Sequence, residues 1–308
     1  MTLSGQPVDL RLTGLRRYPV KSCRGEDLDF AEVEPWGLTG DRRWMLVDPI
    51  GEVVTAREAN RLVLVTPTIT GDGLRLTSPG STELVVDRPE SGPLVDVEIW
   101  DDRLQARVAE ETAGDWFSQA LGRPLRLVYL DDPRRRPVDP AVAEPADTVS
   151  FADGFPLLLA TEESLAQLNA WIAEGPRSAD GPVPMTRFRP NLIVRGAEAF
   201  AEDGWRRVRV GEVEFRVLTS CIRCVLTTID PVTALRTKEP LVSLARHRKI
   251  GGKTLFAMNL VPAAPPRTGV PAAPPRTGVP AAPPRTGVPA APYGTVRVGD
   301  PVEVLETR

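Results

Sequence analysis

Histidine is nearly absent: His247 is the only one in 308 residues. A histidine-rich metal site is therefore excluded, and any Ser-His-Asp or Cys-His mechanism has to rest on that single ring. Cysteine is scarce as well. Cys23, Cys221 and Cys224 are an odd number and too few for a disulfide framework, an all-thiolate zinc site or an iron–sulfur cluster. Charge of one sign is missing: 38 basic residues face 41 acidic ones, and the net charge is −3. Such a balance supplies no global field for nucleic acid or an anionic membrane, although a local basic pocket remains open. No apolar run approaches 18 residues, and the first 12 have no basic start followed by an apolar stretch. Neither a membrane-spanning helix nor a signal peptide is expected, and a cytoplasmic location is.

What is present is an ordinary globular balance, 42% hydrophobic and 26% charged, in a chain long enough for one large domain or two of common size. One segment stands apart. VPAAPPRTG occurs three times in succession from Val261, and 11 of the 32 prolines lie between 261 and 292. Proline at that density lacks the N–H groups for strands or helices. The stretch 262–292 therefore reads as a disordered, proline-rich tandem-repeat loop.

The rest reads as many short strands and a few helices. The first strand spans Leu10–Val20, and Arg43–Val47 and Glu52–Thr55 flank a Pro-x-Gly turn as a hairpin. More strands are expected at Leu62–Val65, Leu74–Thr77, Leu84–Val86, Val95–Ile99, Leu192–Arg195, Arg207–Val210, Glu212–Leu218 and Cys224–Thr228. Val296–Val298 and Val302–Leu305 should close the chain as a hairpin. Helical periodicity marks Thr112–Leu121, stopped by Gly122, then Glu162–Ala173, capped by Thr161, and a short helix over Leu241–Arg248. Without regular βα alternation a doubly wound sheet is disfavoured. The expectation is a mostly β (α+β) fold of two barrel-like domains, residues 1–130 and 131–308, with the break in the proline- and charge-rich stretch Asp131–Asp147.

Four clusters carry candidate chemistry. Ser220-Cys221-Ile222-Arg223-Cys224 is a C-x-x-C followed by a β-branched run. It reads either as a redox or ligand pair or as two small buried residues at a tight connection, and Arg223 beside Cys224 favours a thiolate. Tyr18–Gly25 (YPVKSCRG) offers a cation, a hydroxyl and backbone N–H groups, as a phosphate-binding turn does, or is a plain surface turn. Gly40–Trp44 (GDRRW) and Arg187–Asn191 (RFRPN) each set an arginine at a strand edge, where a salt bridge is the simple explanation.

Taken together and in order, these clusters, with TAREANRLVLV, CVLTTIDPVTA and GTVRVGDPVEVL, resemble the MOSC family with its N-terminal β-barrel domain. The similarity runs from about Leu10 to Leu305 and is strongest to the amidoxime-reducing molybdenum proteins and their bacterial relatives. The resemblance implies a molybdopterin cofactor whose molybdenum is held by Cys224. It implies pterin contacts from Lys21, Ser22, Arg42, Arg189 and Asn191, with Arg223 and Asn259 close by. The implied activity is reduction of small N-hydroxylated compounds, amidoximes and hydroxylamines, with electrons from a separate ferredoxin-, flavin- or cytochrome-type protein. Asp230, in TTIDP, is a candidate for proton movement or for capping a turn. Relatives usually read Phe-Gly-Gln near the cofactor, whereas this chain has Phe256-Ala257-Met258 before Asn259. The rival expectation is a cofactor carrier or sulfur-transfer module, without the pyridoxal-phosphate domain of a full sulfurase.

Overall fold

The computed structural model describes residues 9–71, 73–265 and 291–308. Most of the proline-rich repeats, 266–290, lie outside the described residues, as does the expectation that they are disordered. The first repeat begins inside regular structure, because Val261 and Pro262 end the strand Lys253–Pro262 opposite Arg216 and Phe215. Among the described residues no helix is long and apolar enough to cross a membrane.

The fold is mostly β. Its largest sheet has nine strands and runs, in spatial order, Glu26–Asp27, Arg11–Arg17, Leu192–Arg195, Leu157–Thr161, Lys253–Pro262, Val213–Ile222, Trp205–Val210 and Val302–Thr307, with Lys249–Ile250 paired at one side. Alternation of small and branched apolar residues fills the face beneath it. Leu12, Leu15, Leu159, Leu192, Val208 and Phe215 are all buried there. One unit is parallel: Leu157–Thr161 and Leu192–Arg195 are joined through the helix Glu162–Glu174. Thr161 caps that helix as its sequence foretold, its hydroxyl accepting from the Ser164 N–H. The second barrel-like unit is built on a five-stranded sheet that includes Trp44–Val47, Leu94–Ile99, Asp102–Val108 and Arg126–Tyr129. The helix Glu111–Leu121 packs over it on Ala113, Gly114 and Phe117, and stops at Gly122, whose φ is 72°.

The boundary read at 130/131 is crossed by pairing. Arg11–Arg17 joins Leu192–Arg195 in the large sheet, and Phe30–Glu34 pairs with Gly294–Arg297. The N-terminal 40 residues therefore bury Leu12, Leu15, Val33 and Leu38 in the core of the C-terminal half.

Three local expectations are corrected. Leu62–Leu64 lies in a 3-10 turn, Asn60–Leu64, with Val65 as its C-cap; Leu62 and Val63 are buried on the side of that turn and pair in no strand among the described residues. Cys224–Thr228 is likewise a 3-10 turn, Val225–Thr228, with Cys224 at its N-terminal flank. Its β-branched residues bury Thr227 and Thr228 while the hydroxyls bond back to the Cys224 and Val225 carbonyls. The two C-terminal strands do not pair with each other: Gly294–Arg297 joins Phe30–Glu34, and Val302–Thr307 joins Trp205–Val210.

Candidate functional site

The site forms where the halves meet. Antiparallel pairing of Arg11–Arg17 with Leu192–Arg195 brings the segment after the first strand beside the one before the second, fixed by Arg16 N–H to the Asn191 carbonyl at 2.9 Å. Lys21 N–H then bonds the Trp44 carbonyl at 2.8 Å and Arg42 N–H bonds the Tyr18 carbonyl at 2.7 Å. Four sequence clusters thereby border one open cavity of about 710 Å³, mouth included. Lys21, Ser22, Arg42, Arg189, Asn191, Arg223, Cys224 and Asn259 all line it.

Backbone strain gathers there. Ser22, Arg42 and Arg189 have φ of 69°, 47° and 58°, the left-handed region that side chains disfavour. The bottom strands are irregular too. A register slip between Val217 and Thr219 leaves Leu218 over, and a second between Ser220 and Ile222 sets Phe256 and Ala257 opposite Cys221, with Ala257 at φ 69° in the bulge. That residue occupies the position where the family it resembles usually carries glycine, and the left-handed φ is the physical reason.

Tyr18, which the sequence reading did not assign to the site, is the post for two arginines. The Arg42 and Arg189 guanidinium carbons lie 4.3 and 4.2 Å from its ring centroid, and its hydroxyl donates to the Pro190 carbonyl at 3.1 Å. Gly25 is required beside it, because a Cβ there would come within 2.5 Å of the ring. Asp41 ties the halves together: it accepts from Tyr18 N–H at 2.8 Å, Arg42 Nη1 at 2.6 Å and Asn191 Nδ2 at 3.1 Å.

Asn191 is fully buried and spent on protein partners. Its Oδ1 accepts from Arg42 Nη1 and from Leu158 N–H, and its Nδ2 also donates to the Arg16 carbonyl. Its role is to hold Arg42 in place. Replacing Asn191 by alanine is expected to destabilise the cofactor-free protein by about 2–4 kcal/mol, since Asp41 and Leu158 N–H lose buried partners. Thermal melts of cofactor-free protein test this, and an unchanged midpoint would refute it.

Burial sets the electrostatics of the cradle. It pushes Lys21 down to about 8, with Arg136 and Arg42 adding repulsion against the opposing attraction of Asp153. Arg189 is lowered to about 10, first by burial and then by Arg42. Lys21 Nζ donates to the Phe151 carbonyl at 2.9 Å and pairs with Asp153, which Arg57 also binds at 2.9 Å. Burial alone would raise the Asp153 carboxyl, but Lys21, Arg57 and Arg42 hold it well below the usual carboxylate range. Asp153 and its wall were missed in the sequence. So was Arg136, placed within the presumed interdomain break. It is 2% exposed, donates to the carbonyls of Ser150, Ala152 and Asp153, and pairs with Asp102 at 2.7 Å. The basic run Pro133–Pro137 gave no sign that one of its arginines would be buried.

The three thiols differ by surroundings. Cys23 is buried and pushed up to about 12, a neutral core thiol. Burial raises Cys221 as well, and its sulfur accepts from Arg223 Nη1 at 2.9 Å. Cys224 is half-buried at the cavity wall, and among the described residues its sulfur has no hydrogen-bond partner. Arg223 Nε is buried with no acceptor among the described residues. A soft, unpartnered sulfur beside an unpaired buried donor fits a metal-bearing anionic ligand. No group of three His, Cys, Asp or Glu among the described residues forms a metal cage.

Two candidates lie elsewhere. Asp230 caps its turn, accepting from Val232 N–H, Thr233 N–H and the Thr233 hydroxyl, and pairs with Arg187 at 3.2 Å. It does not border the cavity. His247 is exposed and stacked on Trp171, with centroids 4.4 Å apart, and it does not border the cavity.

Residues 9–124 match the MOSC N-terminal beta barrel domain and residues 146–303 the MOSC domain. Over 94% of its length the chain is 32% identical to mitochondrial amidoxime-reducing component 1 of Homo sapiens, covering 81% of that protein. It is 35% identical to the Mus musculus protein of the same name, over 75% of this chain and 69% of that one. It is also 30% identical to molybdenum cofactor sulfurase of Oryza sativa subsp. japonica, over 82% of this chain but only 32% of the rice protein.

Proposed function

The chain belongs to the MOSC family, in the form that carries the N-terminal barrel domain, and from that premise we propose that it is a molybdenum-cofactor oxidoreductase reducing N-hydroxylated compounds. The observation that carries the reading is the convergence of Lys21, Arg42, Arg189 and Arg223 with an unpartnered Cys224 on one cavity. Cys224 would ligate molybdenum, and the four cations, with Ser22, would hold the pterin and its anionic groups. The bound cofactor supplies two-electron chemistry at the metal. The chain's own part is orientation and exclusion of water. Tyr18 fixes the two stacked arginines, Asn191 and Asp41 lock Arg42, and Arg136 pins the wall Ser150–Asp153.

Molybdenum and pterin analysis of purified protein, followed by N-hydroxy turnover with a small artificial reductant, tests this directly. Stoichiometric cofactor with turnover is expected. The match to the rice sulfurase favours a second reading, a carrier or sulfur-transfer role, which requires cofactor without turnover. Absence of both metal and pterin would refute both readings.

Electrons would come from a separate protein with an acidic face. Residues 231–253 hold six basic residues against one acidic residue, Glu239, and Glu239 is fully buried, in a chain whose net charge is −3. Ile222, Val232, Leu235 and Ile250 are exposed among these cations. The strip adjoins the cysteine turn, as Arg223 N–H bonds the Thr254 carbonyl and Ile229 bridges Arg236. Reversing charge with Lys249→Glu and Lys253→Glu is expected to slow turnover with an acidic [2Fe–2S] ferredoxin about tenfold at low salt. Turnover with the small reductant should be unchanged. Equal rates with the protein donor would place its docking elsewhere.

A further inference from the structure

A second cavity of about 620 Å³, mouth included, lies against the first. Arg189 and Leu226 border both, so a single layer of side chains divides them. Four arginines line it: Arg16, Arg24, Arg187 and Arg189. Two are neutralised, Arg16 by Asp27 at 2.8 Å and Arg187 by Asp230 at 3.2 Å. The other two form no ion pair among the described residues. Arg24 gives one N–H to the Pro231 carbonyl, and Arg189 gives one to the Cys23 carbonyl at 2.6 Å.

Donors are left over here. Arg24 Nε and Arg187 Nε are both buried, with no acceptor among the described residues. An unpaired buried N–H is costly, and two in one cavity point to an acceptor that binds there. The remaining wall is largely apolar, with Val63, Ile229 and Val232, and offers a cation nothing. A surplus of two guanidinium charges in fork geometry matches a dianion with several acceptor oxygens.

We propose that this second cavity binds a phosphoryl group, read by Arg24 and Arg189. The phosphoryl is either the phosphate end of a ligand that extends from the first cavity past Arg189, or free phosphate. The first source rests on the cofactor reading above, whereas the anion site itself does not.

The test is calorimetric titration of inorganic phosphate into full-length protein, both cofactor-free and as loaded in cells. Cofactor-free protein is expected to bind one phosphate, and Arg24→Gln to weaken that binding at least tenfold. Val232→Asp sets a negative charge on the rim at a residue 71% exposed, where no packing is lost, and should weaken it too. If loaded protein no longer takes phosphate, the cavity holds the ligand's own phosphate. If it takes phosphate equally well, the site serves the free anion. No phosphate binding by cofactor-free protein, or binding untouched by both substitutions, overturns the proposal. A protein that carries neither metal nor pterin yet binds phosphate through Arg24 would sink the cofactor reading and leave this one standing.

Discussion

Replacing Cys224 by alanine is expected to abolish N-hydroxy reduction and to change the molybdenum spectrum, whereas Cys221→Ala should cost less than about tenfold. Loss of a partner beyond the ligands commonly lowers metal affinity or activity by roughly 10–100-fold, so loss of the ligand itself must exceed that. The asymmetry comes from the surroundings of the two sulfurs. Cys221 is occupied by Arg223 at 2.9 Å and its thiol is raised by burial, while Cys224 stands at the cavity wall with no hydrogen-bond partner for its sulfur among the described residues. Metal content, absorption spectrum and turnover of the two variants decide the matter. Equal loss from both would replace a single ligand with a dithiol mechanism.

Replacing Lys21 by methionine should separate stability from cofactor retention. Burial lowers Lys21 from 10.5 to about 8, so between those values the unfolded chain holds a proton that the folded chain has released. Stability contributed by this group therefore rises with pH across that window, and below pH 8 the cost of a buried ammonium is complete. Removing it should stabilise the cofactor-free protein at pH 7 by up to about 3 kcal/mol, less the lost bond to the Phe151 carbonyl. The advantage should shrink to nothing by about pH 10.5. A bound anion favours the charged form, so retention in the parent should be strongest below pH 8 and fall as pH rises past it. Lys21→Met should lose the cofactor on dialysis at every pH. Melting curves at pH 7 and 10, with pterin content after dialysis, read both effects. A variant less stable than the parent at pH 7 would show that the buried ammonium is compensated by its pair with Asp153.

Much of the site was legible in the sequence because its parts are local motifs. Lys21 and Ser22, Arg42, Arg189 and Asn191, and Arg223 and Cys224 each lie in a short stretch whose residue types already suggest anion or metal chemistry, and all of them line one cavity. Helix caps and stops were legible for the same reason, as Thr161 and Gly122 act within a few residues of themselves. The cysteine turn was not. Val225–Thr228 carries β-branched side chains, and only the way its hydroxyls bond back to its own carbonyls, with Thr227 and Thr228 buried, makes it a 3-10 turn.

The sequence by itself narrowed the possible chemistry: one histidine left the common triads a single ring to rest on, three thiols were too few for an all-thiolate cage, and motif order marked the family. The tertiary structure alone decided which partners each residue has there. It took Arg136 from an apparent linker and made it the pin of the cavity wall, with three loop carbonyls as acceptors. It showed that Asn191, at the cavity wall, clamps Arg42, and that Asp230 fills the turn-capping alternative the sequence had offered beside proton movement. It also paired Arg11–Arg17 with Leu192–Arg195, about 180 residues away, so that the cradle is assembled from both halves. Spacing along a chain records local geometry. Burial and long-range pairing, which set the charge state of Lys21 and the partners of every arginine, arise only when distant segments exclude water together.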